Sequence, residues 1–363
     1  MPGDDSEWLA DVPPEHAPFL FIDRNLGVPT KAAYRAYLES VTLFQSVRPR
    51  LLPSSPPLTD AEASAVLDAS AVLLLVNPAH QTGLNARKRL VLQGKLDSAQ
   101  ELRFTTALLT LREGAKQSIL WHHRRWLLRR VHSPLPDHRS SPQYISSMDC
   151  EDTLYGLALR PDAFRDEFAA VERACETYAR NYHAWAHRYE CAAALVSLAR
   201  TENGADSDEH LRLRAVLREE EAWIRLWIER HIADYSAAQY SCRLSSLIME
   251  AGLYANPDAG FGPREGHLHA VELVRAYPTH ESLWLYLRGV FPVDWSRKHV
   301  FEGGLGTPGD SFVKLALAVA EQLGTNGNAQ PWGHTVRVLA WALWVVSVRG
   351  PIWVLLSAER VDL

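Results

Sequence analysis

Four cysteines in 363 residues, Cys150, Cys175, Cys191 and Cys242, stand far apart, and no two form a CxxC pair. That scarcity argues against a disulfide framework and reads as reduced core or surface thiols of an intracellular protein. Also missing are GxxxxGKS/T, HExxH and GxSxG, the signatures of a phosphate loop, a zinc protease and a serine hydrolase. The Gly-rich run Glu302 to Gly309, EGGLGTPG, has no Lys-Ser/Thr and reads as a surface turn. A net charge of -5 excludes a molecule dominated by a nucleic-acid surface. The start, MPGDDSEWLADVPPEH, is acidic and Pro-rich, without the basic and apolar regions of a signal peptide. Near the end, Val336 to Leu356 is apolar but broken by Arg349, Gly350 and Pro351. It falls short of the ~20 residues that a membrane helix needs, so a capping helix pair is expected there and no transmembrane segment.

What the chain does contain is a repeated motif. Lys116 to Arg130 runs KQSILWHHRRWLLRR, and Arg180 to Glu190 runs RNYHAWAHRYE. In each, a cation lies five residues before a Trp (Lys116 to Trp121, Arg180 to Trp185) and an Arg three after it (Arg124, Arg188). Phe104 and Phe168 precede those tryptophans by the same interval. Self-similarity beyond one helix length predicts a repeat array. At i and i+3 the Trp and Arg share a helix face. The indole then anchors neighbouring helices, while the guanidinium caps carbonyls or pairs with a carboxylate of the adjacent repeat. Asn181 suits an N-cap, which puts Tyr182 and His183 in an exposed first turn where N–H groups and the helix dipole favour an anion.

The other repeats are weaker. VNPAHQTGLNARKRLVLQG, from Val76 to Gly94, has Leu84 in the Trp position but keeps Arg87. DYSAAQYSCRL has Ala238 for Trp and Ser241 for Arg, and YPTHESLWLYLRGVF keeps Trp284 while its Arg moves to Arg288. Ahead of them, residues 1–30 read as an irregular arm. Lys31 to Arg48 reads as an amphipathic helix, and Thr59 to Glu62 as the capped start of the next. The expected division is 1–58 for the arm and first helix, then 59–363. The latter holds repeats near 61–94, 96–130, 153–199, 208–254 and 267–292 and a cap over 310–356, with the loop 293–309 between the last two. His122 and His123 are adjacent, hence divergent on a helix, and read as groove lining or core edge rather than a zinc pair.

NYHAWAHR at 181–188 and KQSILWHHRRWLL at 116–128 resemble the α-subunit repeats of protein prenyltransferases. The resemblance is closest to the prenyltransferase α-subunit repeat-containing family, whose members resemble the α subunit of a third type of geranylgeranyltransferase. It implies an all-α fold, a crescent-shaped right-handed superhelix of helical hairpins. It also implies a partner β subunit that carries the catalytic Zn²⁺, with Mg²⁺ assisting the diphosphate, and no cofactor on this chain. The other implied partners are prenyl diphosphate and a cysteine-bearing protein substrate, in the cytoplasm. Lys116, Tyr182 and His183 match residues near the diphosphate, with Asn181, His123 and Arg124 expected along the same groove. Trp121, Arg124, Trp185, Arg188, Arg87 and Trp284 are the structural marks of the repeats. Gln117-Ser118 departs from the Asn-Tyr that often follows the family's Lys. A reading from another class remains open: a non-catalytic α-solenoid adaptor that binds a peptide or protein on its concave face.

Overall fold

The computed structural model describes residues 19–22, 25–51, 56, 58–134, 153–200, 208–254 and 263–295. The cap expected over 310–356 and all but the first residues of loop 293–309 lie outside them. The described chain begins with a hairpin, β1 (Leu20–Ile22) against β2 (Asn25–Gly27), antiparallel with Leu20 opposite Gly27. This departs from the irregular arm expected there. Strands of three residues are too short to show alternation in sequence.

Twelve α-helices and a 3-10 turn over Arg48–Leu51 make up the helical structure of the described residues: α1 (Thr30–Val47), α2 (Asp60–Val76), α3 (Gln81–Leu92), α4 (Ser98–Leu109), α5 (Arg112–Ala115), α6 (Ser118–Val131), α7 (Pro161–Thr177), α8 (Tyr182–Arg200), α9 (Asp208–Arg230), α10 (Tyr235–Glu250), α11 (Pro263–Ala276) and α12 (Glu281–Trp295). The fold is therefore a succession of helical hairpins. Local chemistry sets their ends. Thr59 and Glu62 form a capping box at α2, Asp97 caps α4 and Asp234 caps α10. Beyond α3, Gly94 adopts φ 68° while Lys95 N–H reaches back to the Leu90 carbonyl, a left-handed helix stop suited to glycine.

The chain divides into two compact units, one formed by residues 1–158 with 169–187, the other by 159–168 with 188–363. In the first, α2 packs on α1 and α3, and α6 on α4 and α3. In the second, α10 packs on α9 and α12, and α11 on α12.

Each unit uses one device to join successive hairpins. In the first, Arg87 is 3% exposed; it donates to both oxygens of Glu101 at 2.7–3.0 Å and to the Leu67 carbonyl at 3.0 Å. The imidazole of His123 closes on the same carboxylate at 3.1 Å. In the second, Arg188 donates to Glu220 with two bonds of 2.6 Å and to the Phe168 carbonyl at 2.9 Å. There the Tyr240 hydroxyl donates to Glu220 at 2.7 Å. Each Arg thus binds a carbonyl about twenty residues upstream in its own hairpin and a carboxylate on the next. His123 and Tyr240 both lie six residues past their helix's N-cap position. Burial pushes the Glu101 carboxyl up, but the hydrogen bonds from His123 and Arg87 outweigh it and leave it below the usual carboxylate range.

Further along the second unit the device is removed as a whole. Ser241 takes the Arg place, and twenty residues before Tyr286, the interval from Glu220 to Tyr240, stands Gly266. Tyr286 bonds Ser241 and lies 3.3 Å from His269 Nδ1. Losing both charged partners leaves no unpaired ion in the core, which is the costly outcome.

Arg188→Met is expected to destabilise the chain by about 3–5 kcal/mol by stranding the Glu220 carboxylate. The double variant Arg188→Met/Glu220→Gln should lose less than the single one. Urea unfolding followed by tryptophan fluorescence checks this, and a single variant within about 1 kcal/mol of the parent contradicts it.

Candidate functional site

The two best-kept motifs meet at one carbonyl. The α5 turn must lie tight against the end of α4: a Cβ on Gly114 would sit 2.0 Å from the Leu108 carbonyl oxygen, so only glycine fits. The next residue, Ala115, is fully buried, and its carbonyl accepts the Trp121 indole N–H at 2.9 Å and the Asn181 amide at 2.7 Å. Asn181 meanwhile caps α8, its Oδ1 accepting from Ala184 N–H at 3.1 Å. Trp121 stacks at a tilt on His187 of α8, with centroids 5.1 Å apart. One amide side chain therefore binds the residue before Lys116 and precedes Tyr182, so the start of α6 and the start of α8 lie side by side.

On that platform Lys116 is the residue closing α5, with its ammonium 2.6 Å from a Glu113 carboxylate oxygen and a side chain 37% exposed. Tyr182 is 69% exposed, and His183 stands edge-on to it at 5.6 Å. Burial lowers the His183 pKa below its ordinary value, and the cation of Arg125 lowers it further. Both effects favour the neutral imidazole, which donates one N–H. A mobile ammonium, a phenol and an imidazole N–H are donors for an anion; they are not a zinc ligand set.

Three residues expected to line the groove do not. Asn181 is 1% exposed, His123 3% and Arg124 2%. Asn181 is spent on Ala115 and the α8 cap. His123 is held by Glu101 and stacks on Trp126 at 5.4 Å. Arg124 donates to the Leu102 carbonyl and to the hydroxyls of Thr105 and Thr106 at 2.9–3.2 Å. The i, i+3 spacing places His123 and Arg124 on a common surface of α6 with its buried residues, and that surface faces the core.

The residues named as repeat marks are all interior: Arg87, Trp121, Arg124, Trp185, Arg188 and Trp284 are each at most 4% exposed. The Trp284 indole N–H donates at 2.8 Å to the carbonyl six residues upstream, Pro278, as Trp121 does to Ala115. Two residues beside Lys116 and His183 escaped sequence reasoning. Glu113 was visible only as an acid three residues before Lys116, and Arg125 was hidden behind its neighbour Arg124.

Residues 164–195, covering most of α7 and the first part of α8, match the family model for the protein prenyltransferase alpha subunit repeat. The chain is also similar to proteins named protein prenyltransferase alpha subunit repeat-containing protein 1. It is 26% identical to the one from Danio rerio over 284 residues, 71% of this chain and 62% of that protein. It is 25% identical to that of Homo sapiens over 256 residues, 62% of this chain and 58% of that protein. To the Xenopus laevis 1-B form it is 26% identical over 258 residues. The chain thus spans between 54% and 62% of the length of these relatives.

Asn181→Asp is expected to destabilise more than Asn181→Ala, although Asp is a good cap, because its second oxygen would face the Ala115 carbonyl. The alanine variant should lose about 1–3 kcal/mol, and thermal unfolding of both variants settles the order. By NMR titration His183 should show a midpoint below 6.5 that rises in Arg125→Gln. An unmoved midpoint contradicts the assigned cause.

Proposed function

We propose, from the premise that the chain carries protein prenyltransferase α-subunit repeats, that it acts as the α subunit of a heterodimeric protein prenyltransferase. With a zinc-bearing β subunit it would support transfer of a geranylgeranyl or farnesyl group to a cysteine of a protein substrate, in the cytoplasm. The observation that supports this reading is the Asn181 amide on the Ala115 carbonyl, which ties the residue before Lys116 to the residue before Tyr182. No helix of the described residues is long and apolar enough to cross a membrane.

In this reaction the cysteine thiolate attacks the first carbon of the prenyl chain, the C–O bond breaks, and its electron pair leaves with diphosphate. Negative charge grows on the leaving oxygens, where preorganised donors are worth most. Lys116 supplies a charge-assisted hydrogen bond there, and Tyr182 and His183 each supply one neutral donor. Zn²⁺ and Mg²⁺ belong in this reading to the partner's side of the site, Zn²⁺ lowering the thiol pKa. An ammonium, a phenol and a single imidazole are donors for an anion and lack the ligand number of a zinc site.

The adaptor reading draws on the pairing of Lys116 with Glu113 and on the exposed Tyr182 ring, which a peptide-binding surface uses equally well. Co-expression with zinc-bearing β subunits separates the two. The enzyme reading predicts a stable complex in which Lys116→Ala lowers kcat about 100- to 1,000-fold, the range expected for one electrostatic donor, while assembly is unchanged. A complex whose turnover ignores that substitution contradicts the role of the lysine. Failure to bind any β subunit favours the adaptor.

A further inference from the structure

Glu113 has no part in the donor set just described, yet it holds the most important member of it. Its carboxylate lies 2.6 Å from Lys116 Nζ, with side-chain exposures of 62% and 37%. The backbone beneath the pair is fixed. Gly114 is wedged against the Leu108 carbonyl, and Ala115 is bound by Trp121 and Asn181. With the peptide immobile, the freedom left at this position belongs to the Lys116 side chain, which is flexible and half exposed.

We propose that Glu113 is a positioning residue that parks Lys116 and competes with diphosphate for it, an inference that rests on reading Lys116 as the diphosphate cation. A single carboxylate on the same short turn attracts the ammonium more weakly than a diphosphate carrying several charges. Lys116 therefore leaves Glu113 when the anion binds, and Glu113 recaptures it when inorganic pyrophosphate departs. The pair limits affinity for the product as well as the substrate, and so favours release. No bond is made or broken in this exchange; one ion pair replaces another.

The neighbouring Tyr182–His183 turn distinguishes the pair from the other surface acid–base contacts of the first unit, Lys95–Asp60 and Arg50–Glu62. Glu101 also holds a cation, Arg87, but both are buried with at most 4% of the side chain exposed, so neither can swing to a ligand. Lys95 pairs with Asp60 at 2.7 Å, away from the α6 and α8 starts in sequence and without a second motif beside it. Of these pairs, Glu113–Lys116 alone combines a fixed backbone, a movable cation and the neighbouring Tyr182–His183 turn.

The test is calorimetric titration of inorganic pyrophosphate into the purified full chain at low ionic strength. Four proteins are compared: the parent, Glu113→Gln, Lys116→Ala and the double variant. A fifth, Asp208→Asn, controls for loss of one negative charge, since Asp208 also holds a surface cation, Arg212, at 2.6 Å. Glu113→Gln should bind pyrophosphate about two- to fivefold more tightly, the range a surface ion pair supports. The gain should vanish in the Lys116→Ala background and shrink with added salt. An unchanged or weaker affinity in Glu113→Gln overturns the proposal. So does a gain that survives removal of Lys116, or an equal gain in Asp208→Asn. Absence of any pyrophosphate binding by the parent also overturns it, while the turnover assay with a β subunit still judges the catalytic reading separately.

Discussion

A buried guanidinium shared between two helical hairpins is the constraint on which this structure depends. Arg87 and Arg188 each bind a carbonyl of their own hairpin and the carboxylate of the next, Glu101 or Glu220. Such an ion is expensive to desolvate and is tolerable only when every donor is met. That requirement fixes the angle and register of one hairpin on its neighbour far more tightly than apolar packing alone would. Aromatic rings complete the seat: Arg87 lies over Phe104 at 4.1 Å, and Arg188 over Trp223 at 3.5 Å. The fourth hairpin shows the same logic by omission. With Ser241 in the Arg place and Gly266 twenty residues before Tyr286, no Arg–Glu fork forms at these positions; Tyr286 bonds Ser241 and lies against His269, whose other nitrogen is 3.1 Å from Glu229.

Register in turn places the surface chemistry. Between the α6 and α8 hairpins the register is held instead by the Asn181 amide on the Ala115 carbonyl and by Trp121 on His187, so two helix starts that are 64 residues apart in α6 and α8 become one platform. Buried residues hold the platform and exposed ones stand on it. Asn181 illustrates the division: it belongs to the motif that carries the functional resemblance, yet it is consumed in holding the backbone. Lys116 and Tyr182 keep solvent-exposed side chains, with His183 edge-on to Tyr182.

Much of this was legible in the sequence, for identifiable reasons. The Trp–Arg spacing survives translation into structure because both residues are set by one helix period. Thr59–Glu62 and Asn181 were readable as caps because capping is local. The expectation that the repeat Arg would cap carbonyls and pair with a neighbouring carboxylate was right in kind, but the carboxylates themselves were not identifiable. Glu101 is fourteen residues from Arg87 and Glu220 thirty-two from Arg188, with no common interval to search for. His123 and Arg124 were misassigned because periodicity reports which residues share a face, not whether that face looks inward. The hairpin at 20–27 was invisible because its strands are shorter than any pattern.

The most direct measurement is a structure of the chain assembled with a zinc-bearing β subunit and an unreactive prenyl diphosphate analogue. The account predicts the Lys116 ammonium detached from Glu113 and within about 2.7–3.2 Å of a diphosphate oxygen, with Tyr182 and His183 on the same group. A diphosphate bound elsewhere, with Lys116 still paired to Glu113 and its two neighbours turned toward solvent, would contradict it.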